Sequence, residues 1–356
     1  MAWTPLDPTS PEATSRHLLL LAEDVTPDEV ETLAVSRFPR AAWEVAPGET
    51  AQRTGGMFGG RSTPAPGVLR LSRHSSLHGP FTVGDDALSA LKLPPAARTA
   101  YVVHAPVERG AEPWAVGGDR DGLRRAFPDG LPVRDEERTV AWLVSAARRL
   151  GGAVRTVTRE ARPGVLLVPD PAAAVDLTIW SDIWLEPEAG LAVTQQAVPR
   201  AYLNLPARGW EGPPRATGER PAPGAEGLDP ERRRALHAAA DEHDIATLTA
   251  PPPMHGYGVL ADLELDGMLA LEVSGETRLP PVIAALGWAH QGAVVYRVRW
   301  EPADLHEREA ERPSLQHRVE RGRATPLVVA VARAVHAAVG GEITDAMDFL
   351  VDPRDL

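Results

Sequence analysis

The sequence predicts an α+β protein of two diverged tandem copies, each a mixed or antiparallel sheet with helices packed on one face. Two internal matches and the order of apolar runs carry that expectation. The segment "HLLLLAEDVTPDEVETLAVSRFPRAAWEV" from His17 aligns without gaps on "LTIWSDIWLEPEAGLAVTQQAVPRAYLNL" from Leu177, an offset of 160 residues that sets Pro27 on Pro187 and Pro39-Arg40-Ala41 on Pro199-Arg200-Ala201. "VAWLVSAARRLGGAV" from Val140 aligns on "VAVARAVHAAVGGEI" from Val329, an offset of 189. The two offsets differ by 29, so the second copy should hold an insertion of about that size. "PARGWEGPPRATGERPAPGAEGLDPERRR" from Pro206 marks its place, being rich in Pro and Gly and without apolar period.

The elements follow in order. Residues 1–16 read as a tail, 17–170 as the first copy, and 176–356 as the second, with the Pro/Gly-rich loop and a helix inserted at about 206–243. Each copy opens on an apolar strand. A helix follows with proline at its first position, where the amide has no intrahelical partner, and Asp28, Glu29 and Glu188 suit the positive helix end. Val30, Leu33, Ala34 and Phe38 recur at helical spacing and should face a sheet. A second proline ends the helix, and another strand follows. Central strands include "GVLRLSR" and "RTAYVVHAP" in the first copy and "GVLADLEL", "MLALEVS" and "AVVYRVRW" in the second. The last helix of each copy closes on a double glycine, where Gly151 and Gly340 suit a left-handed residue. "GVLLVPD" from Gly164 and "MDFLVDP" from Met347 are the closing strands. The charge-alternating run from Asp304 to Arg323 reads as a solvated helix.

Composition narrows the function classes. A formal charge of −12 disfavours long-range attraction to nucleic acid or anionic lipid. The chain has no cysteine, which removes disulfides, thiolate metal sites and thiol nucleophiles and suits a cytoplasmic setting. Leu18 to Ala22 is shorter than a signal-peptide core of about 7 residues, and "PLVVAVARAVHAAVGG" is interrupted by Arg333 and His336, so neither export nor a membrane anchor is expected.

The stretch "GGMFGGRS", residues 55–62, matches the phosphate-loop pattern except that Arg61 replaces the lysine. Its context argues against nucleotide binding, because Pro64 and Pro66 stand where the phosphate-holding helix should run. His74 and His78 would lie roughly 13 Å apart on a strand, too far to share a metal. His255, between a proline run and Gly-Tyr-Gly, is the favoured polar site, with Tyr257 beside it. Tryptophan outnumbers both Phe and Tyr. Trp180 should be core, whereas Trp184 and Trp210 are interaction candidates, since no apolar period surrounds Trp210.

The reading is thus a non-catalytic binding or protein-interaction module, with no cofactor or metal and with an unidentified protein or small-molecule partner, a homodimer being allowed. The alternative is an enzyme whose pocket forms between the copies and uses His255 and nearby loop residues. Nucleotide binding at Gly55 to Ser62 ranks last.

Overall fold

Each half of the chain builds a seven-stranded antiparallel sheet, and the two sheets share one strand order. The computed structural model describes residues 3–48, 51–53, 62–113, 118–157, 164–204, 229–249 and 255–356. The first half runs α1 (Pro11–Ser15), β1 (His17–Leu21), α2 (Pro27–Arg37), β2 (Ala42–Val45), β3 (Ala51–Arg53), β4 (Ser62–Pro64), β5 (Gly67–Arg70), β6 (Ser76–Thr82), α3 (Asp85–Leu91), β7 (Thr99–His104), α4 (Leu123–Ala126), α5 (Arg134–Arg149), β8 (Ala153–Thr156) and β9 (Val165–Leu167). The second runs β10 (Leu177–Ser181), α6 (Pro187–Ala197), β11 (Tyr202–Asn204), α7 (Pro230–Thr249), β12 (Gly256–Asp262), β13 (Met268–Glu276), α8 (Pro281–Ala284), β14 (Ala293–Glu301), α9 (Leu305–Arg308), α10 (Leu315–Val339), β15 (Glu342–Asp345) and β16 (Leu350–Val351). The sheet orders are β2-β5-β6-β7-β1-β8-β9 and β11-β12-β13-β14-β10-β15-β16, which are the same path.

Strand register gives the correspondence residue by residue. Leu19 pairs with Tyr101 and Val154, and Ile179 pairs with Tyr296 and Ile343, so the offset is 160 on the opening strand and 189 on the strand after the long helix. Following the ladders from His17 through Val103 and Leu77 to Leu69, and from Leu177 through Val298 and Leu271 to Val259, raises the offset to 190 by β12. The extra residues therefore enter between β11 and β12, where α7 lies.

Local chemistry explains why both copies fold alike. Pro27 and Pro187 occupy the first turns of α2 and α6, and Thr26 and Glu29 close a reciprocal capping box on α2. At the other end, Gly151 and Gly340 both take φ +64°. A Cβ on the next glycine would lie 2.4 Å from the Leu20 carbonyl oxygen at Gly152 and 2.0 Å from that of Trp180 at Gly341. The double glycine is thus needed twice for one reason: the chain leaving the long helix grazes the backbone of the opening strand.

The long helices pack on one face of each sheet. Leu19, Leu21, Tyr101 and Val103 face α2 and α5, while Ile179, Val259, Leu271 and Val298 face α6 and α10. Short elements cover the opposite faces. Leu18, Leu20, Ala100 and Val102 pack with Ala13 of α1, with Ala87 and Leu91 of α3, and with Leu6. In the second sheet Trp180, Ala293 and Val295 form a smaller cluster with Ile283 of α8 and Ala289. That asymmetry leaves a polar sheet face in the second half.

The β15–β16 turn crosses between the halves. Met347 and Phe349 belong to the core of the first sheet, and Phe349 is 1% exposed. Asp345 Oδ1 accepts from the amides of both residues, which shapes the turn, and Arg37 donates to Asp348 Oδ2 and to the Met347 carbonyl.

One expectation changes. The run from Asp304 to Arg323 is not a single solvated helix. It breaks after α9 and resumes as the first turns of α10, where His317, Glu320 and Arg321 are buried. These turns pack toward the first half, as the Arg321–Asp170 ion pair at 2.7 Å shows, so the charged face meets protein instead of water.

Candidate functional site

The second sheet carries a polar stripe in which Thr178 and Arg297 stand at positions that are apolar in the first, and Arg299 stands where the first has His104. On β10, Leu177 and Ile179 point to the α10 core, so Thr178 and Trp180 point the other way. On β14, Tyr296 and Val298 face the core, which turns Arg297 and Arg299 to the same far side as Thr178. The ladder pairs Thr178 with Arg297, whereas its counterpart in the first sheet pairs Leu18 with Val102. Leu18 and Val102 lie under α1 and α3, while Thr178 and Arg297 line a cleft.

That cleft measures about 650 Å³ and is built from both halves. Arg37, Arg120 and Asp170 come from the first half; Arg278, Arg308 and His317 are among those from the second. Seven arginines line it against six carboxylates, a local positive excess in a chain of net charge −12.

Most of these charges already have partners. Arg308 contacts Asp176 Oδ2 at 3.0 Å, and Asp176 Oδ1 accepts from the Trp300 amide at 3.0 Å. Arg297 reaches Glu276 at 3.0 Å. Two other pairs are long, Arg299 with Glu272 at 3.4 Å and Arg120 with Asp121 at 3.8 Å. Arg278 is exposed and makes no ion pair among the described residues. Burial pushes the Asp176 carboxyl above its ordinary range, against the opposing pull of the Trp300 amide and of Arg308, Arg299 and Arg120. Burial likewise raises Asp345, in spite of the Phe349 and Met347 amides and Arg149. His317 is 5% exposed, its ring lies 5.2 Å from that of Trp300, and burial, aided by Arg321, lowers its pKa and favours the neutral imidazole.

The residues singled out from sequence lie elsewhere. His255 is exposed just before β12. Tyr257 is buried on the helix-covered face, where its hydroxyl donates to the Leu185 carbonyl at 2.9 Å. Trp184 meets it edge-on at 5.7 Å between ring centroids, so these two candidates come together in the α6 packing and away from the cleft. Trp210 lies outside the described residues, as does most of the glycine loop. The flanks of that loop pair as antiparallel strands, Arg53 opposite Ser62. His74 sits in a turn, and His78 stacks on His104 with ring centroids 3.8 Å apart. Among the described residues no cluster of three or more His, Asp or Glu could hold a metal, and no helix is long and apolar enough to cross a membrane.

The arginine cleft was not read from sequence because its members are scattered from Arg37 to Arg321. One signal was available: Thr178, Arg297 and Arg299 are polar residues within otherwise apolar strands. No family model, curated protein or solved structure matches the chain.

Proposed function

We propose that this chain is a non-catalytic binding protein whose ligand is a small molecule held in the cleft between the two sheets. The observation that carries the reading is the arginine-rich cleft itself, of ligand size and opened where the duplicated sheet face is polar. Its carboxylates support recognition over chemistry, because they have structural duties. Asp170 holds Arg321, Asp348 holds Arg37, Glu311 holds Arg125, Glu307 accepts from the Ser314 amide, and Asp345 shapes its turn. An acidic, cysteine-free composition supports a cytoplasmic setting and a partner other than nucleic acid.

The enzyme reading keeps one observation in its favour. Asp176 and Asp345 are cleft carboxylates whose pKa values burial raises, the environment that general acids use. It does not draw on His255, which does not line the cleft.

One experiment separates these readings. Thermal shift against a broad metabolite library, run on the wild type and on Thr178→Trp, should find a ligand that stabilises only the wild type. Proton NMR should then show that ligand unchanged after prolonged incubation with the protein. Equal stabilisation of both proteins would remove the cleft as the site, and conversion of the ligand would put the enzyme first.

A further inference from the structure

The geometry points to a phosphate group on the ligand of this cleft, held by Arg120, Arg278, Arg299 and Arg308. The inference rests on the cleft reading above and names the chemistry that the cleft selects.

Arg120, Arg278, Arg299 and Arg308 line one cleft with Asp176, which Arg308 contacts at 3.0 Å. Their flexibility differs. Arg308 is fixed by Asp176 at 3.0 Å, whereas the pairs of Arg299 and Arg120 are longer than good hydrogen bonds and their side chains are 40% and 33% exposed. Exposed pairs of that length hold little energy and can turn toward a better anion. Arg278 is available on the same cleft without an ion pair among the described residues.

Charge counting sets the sign of the ligand. Arg308 pairs with Asp176, Arg299 with Glu272, and Arg120 with Asp121, which Arg148 shares. Across the lining seven arginines face six carboxylates, an excess of one positive charge, and Arg278 is the lining arginine with no ion pair among the described residues. A phosphate monoester carries a charge of about −1.5 to −2 near neutral pH and offers three terminal oxygens, against one charge and two oxygens on a carboxylate. Arginine forks match that anion geometrically. His317 gives an independent sign of a ligand: it lines the same cleft, and its buried Nδ1 has no hydrogen-bond partner among the described residues. A buried imidazole nitrogen left so is costly, and a hydrogen bond with a phosphate oxygen or hydroxyl would remove that cost.

Calorimetric titration of the full chain tests this with four probes at matched ionic strength: inorganic phosphate, pyrophosphate, glucose 6-phosphate and citrate. Phosphate-bearing probes should bind in the micromolar range, and Arg120→Gln and Arg299→Gln should each weaken them by roughly tenfold or more. Arg200→Gln, a surface arginine paired with Glu264 outside the cleft, should leave binding unchanged. Tighter glucose 6-phosphate than inorganic phosphate identifies a phosphorylated metabolite, and the reverse identifies free phosphate; both uphold the inference. Arg278→Gln, at an exposed position where the fold does not depend on it, should weaken phosphate binding likewise with an unchanged circular dichroism spectrum, and unchanged binding in all three variants would overturn the inference. Phosphate probes that do not bind, that bind no better than citrate, or that are lost equally in Arg200→Gln would overturn it. If they fail while a library ligand still distinguishes wild type from Thr178→Trp, the phosphate assignment falls and the cleft reading stands. If no ligand makes that distinction, both fall.

Discussion

Glu136 is 1% exposed and ionised, a combination that only dense pairing allows. Burial opposes its charge, but hydrogen bonds from His17 and Arg109, the Arg109 charge and the Glu108 amide outweigh burial and hold the carboxyl below its ordinary value near 4.5. The Val157 amide donates to His17 Nδ1 at 3.1 Å, so His17 Nε2 carries the proton that reaches Glu136 Oε1 at 3.1 Å. Arg109 also lies 4.6 Å over the Phe127 ring. Removing the carboxylate would leave a buried guanidinium unmatched, so Glu136→Ala should cost roughly 3–5 kcal/mol in urea unfolding. The pH dependence has a definite sign. A carboxyl with a depressed folded pKa contributes stability above its unfolded value, and that stability is lost as pH falls through the folded value. Acidification from pH 5 toward 3 should therefore destabilise the wild type more steeply than Glu136→Gln, in chemical denaturation series at each pH. None of this network was visible in the sequence, because His17, Arg109 and Glu136 meet only through the β1–β7 and α5 packing. Trp180 was legible as core because it lies in an apolar strand, whereas Tyr257, offered as a site residue, shares its strand with Val259 and Ala261 and packs with them in the core.

Helix α6 approaches β12 through Gly190, where a Cβ would stand 2.3 Å from the Tyr257 hydroxyl oxygen and 2.9 Å from the ring. That ring cannot step aside, being wedged against Trp184 and tied to the Leu185 carbonyl. Alanine would gain about 1 kcal/mol of helix propensity but lose about 1 kcal/mol from the hydrogen bond and about 1–3 kcal/mol from overpacking. Gly190→Ala should therefore lower the thermal midpoint, while Gly190→Ala with Tyr257→Phe should recover part of the loss. At this scale the sequence is readable where an element has a periodic or punctuated signal. Helices α2 and α6 announce themselves by proline and apolar spacing, and α5 and α10 by the double glycine. Strand β6 does not, because Gly79-Pro80 interrupts it and the register against β7 shifts between His78 and Phe81. Proline is tolerated there because the irregular pairing leaves its missing donor unneeded. The first turns of α10 were misread for another reason: alternating charge signals a wet surface only when no protein faces it.

The two sheets do not stand as independent bodies. Met347 and Phe349 of the second half complete the first core, and Arg37, Arg125 and Asp170 of the first half bind Asp348, Glu311 and Arg321 of the second. Phe349→Ala should cost about 3–5 kcal/mol, with the loss falling on the first sheet although the residue belongs to the second. Hydrogen exchange should show it as weakened protection of β1 and α5 that exceeds any change in β12 and β13. The duplication was legible at this scale because offsets survive divergence. The cleft was not, because Thr178 and Arg297 stand where the other copy has Leu18 and Val102, and only the register reveals that correspondence. The crossing turn also bears on synthesis. Phe349 lies 200 positions beyond Arg149, the end of the helix whose core it completes. A nascent first half leaving the ribosome therefore carries an unfilled apolar notch until the second half has been made, a surface that the matching turn of another copy could fill.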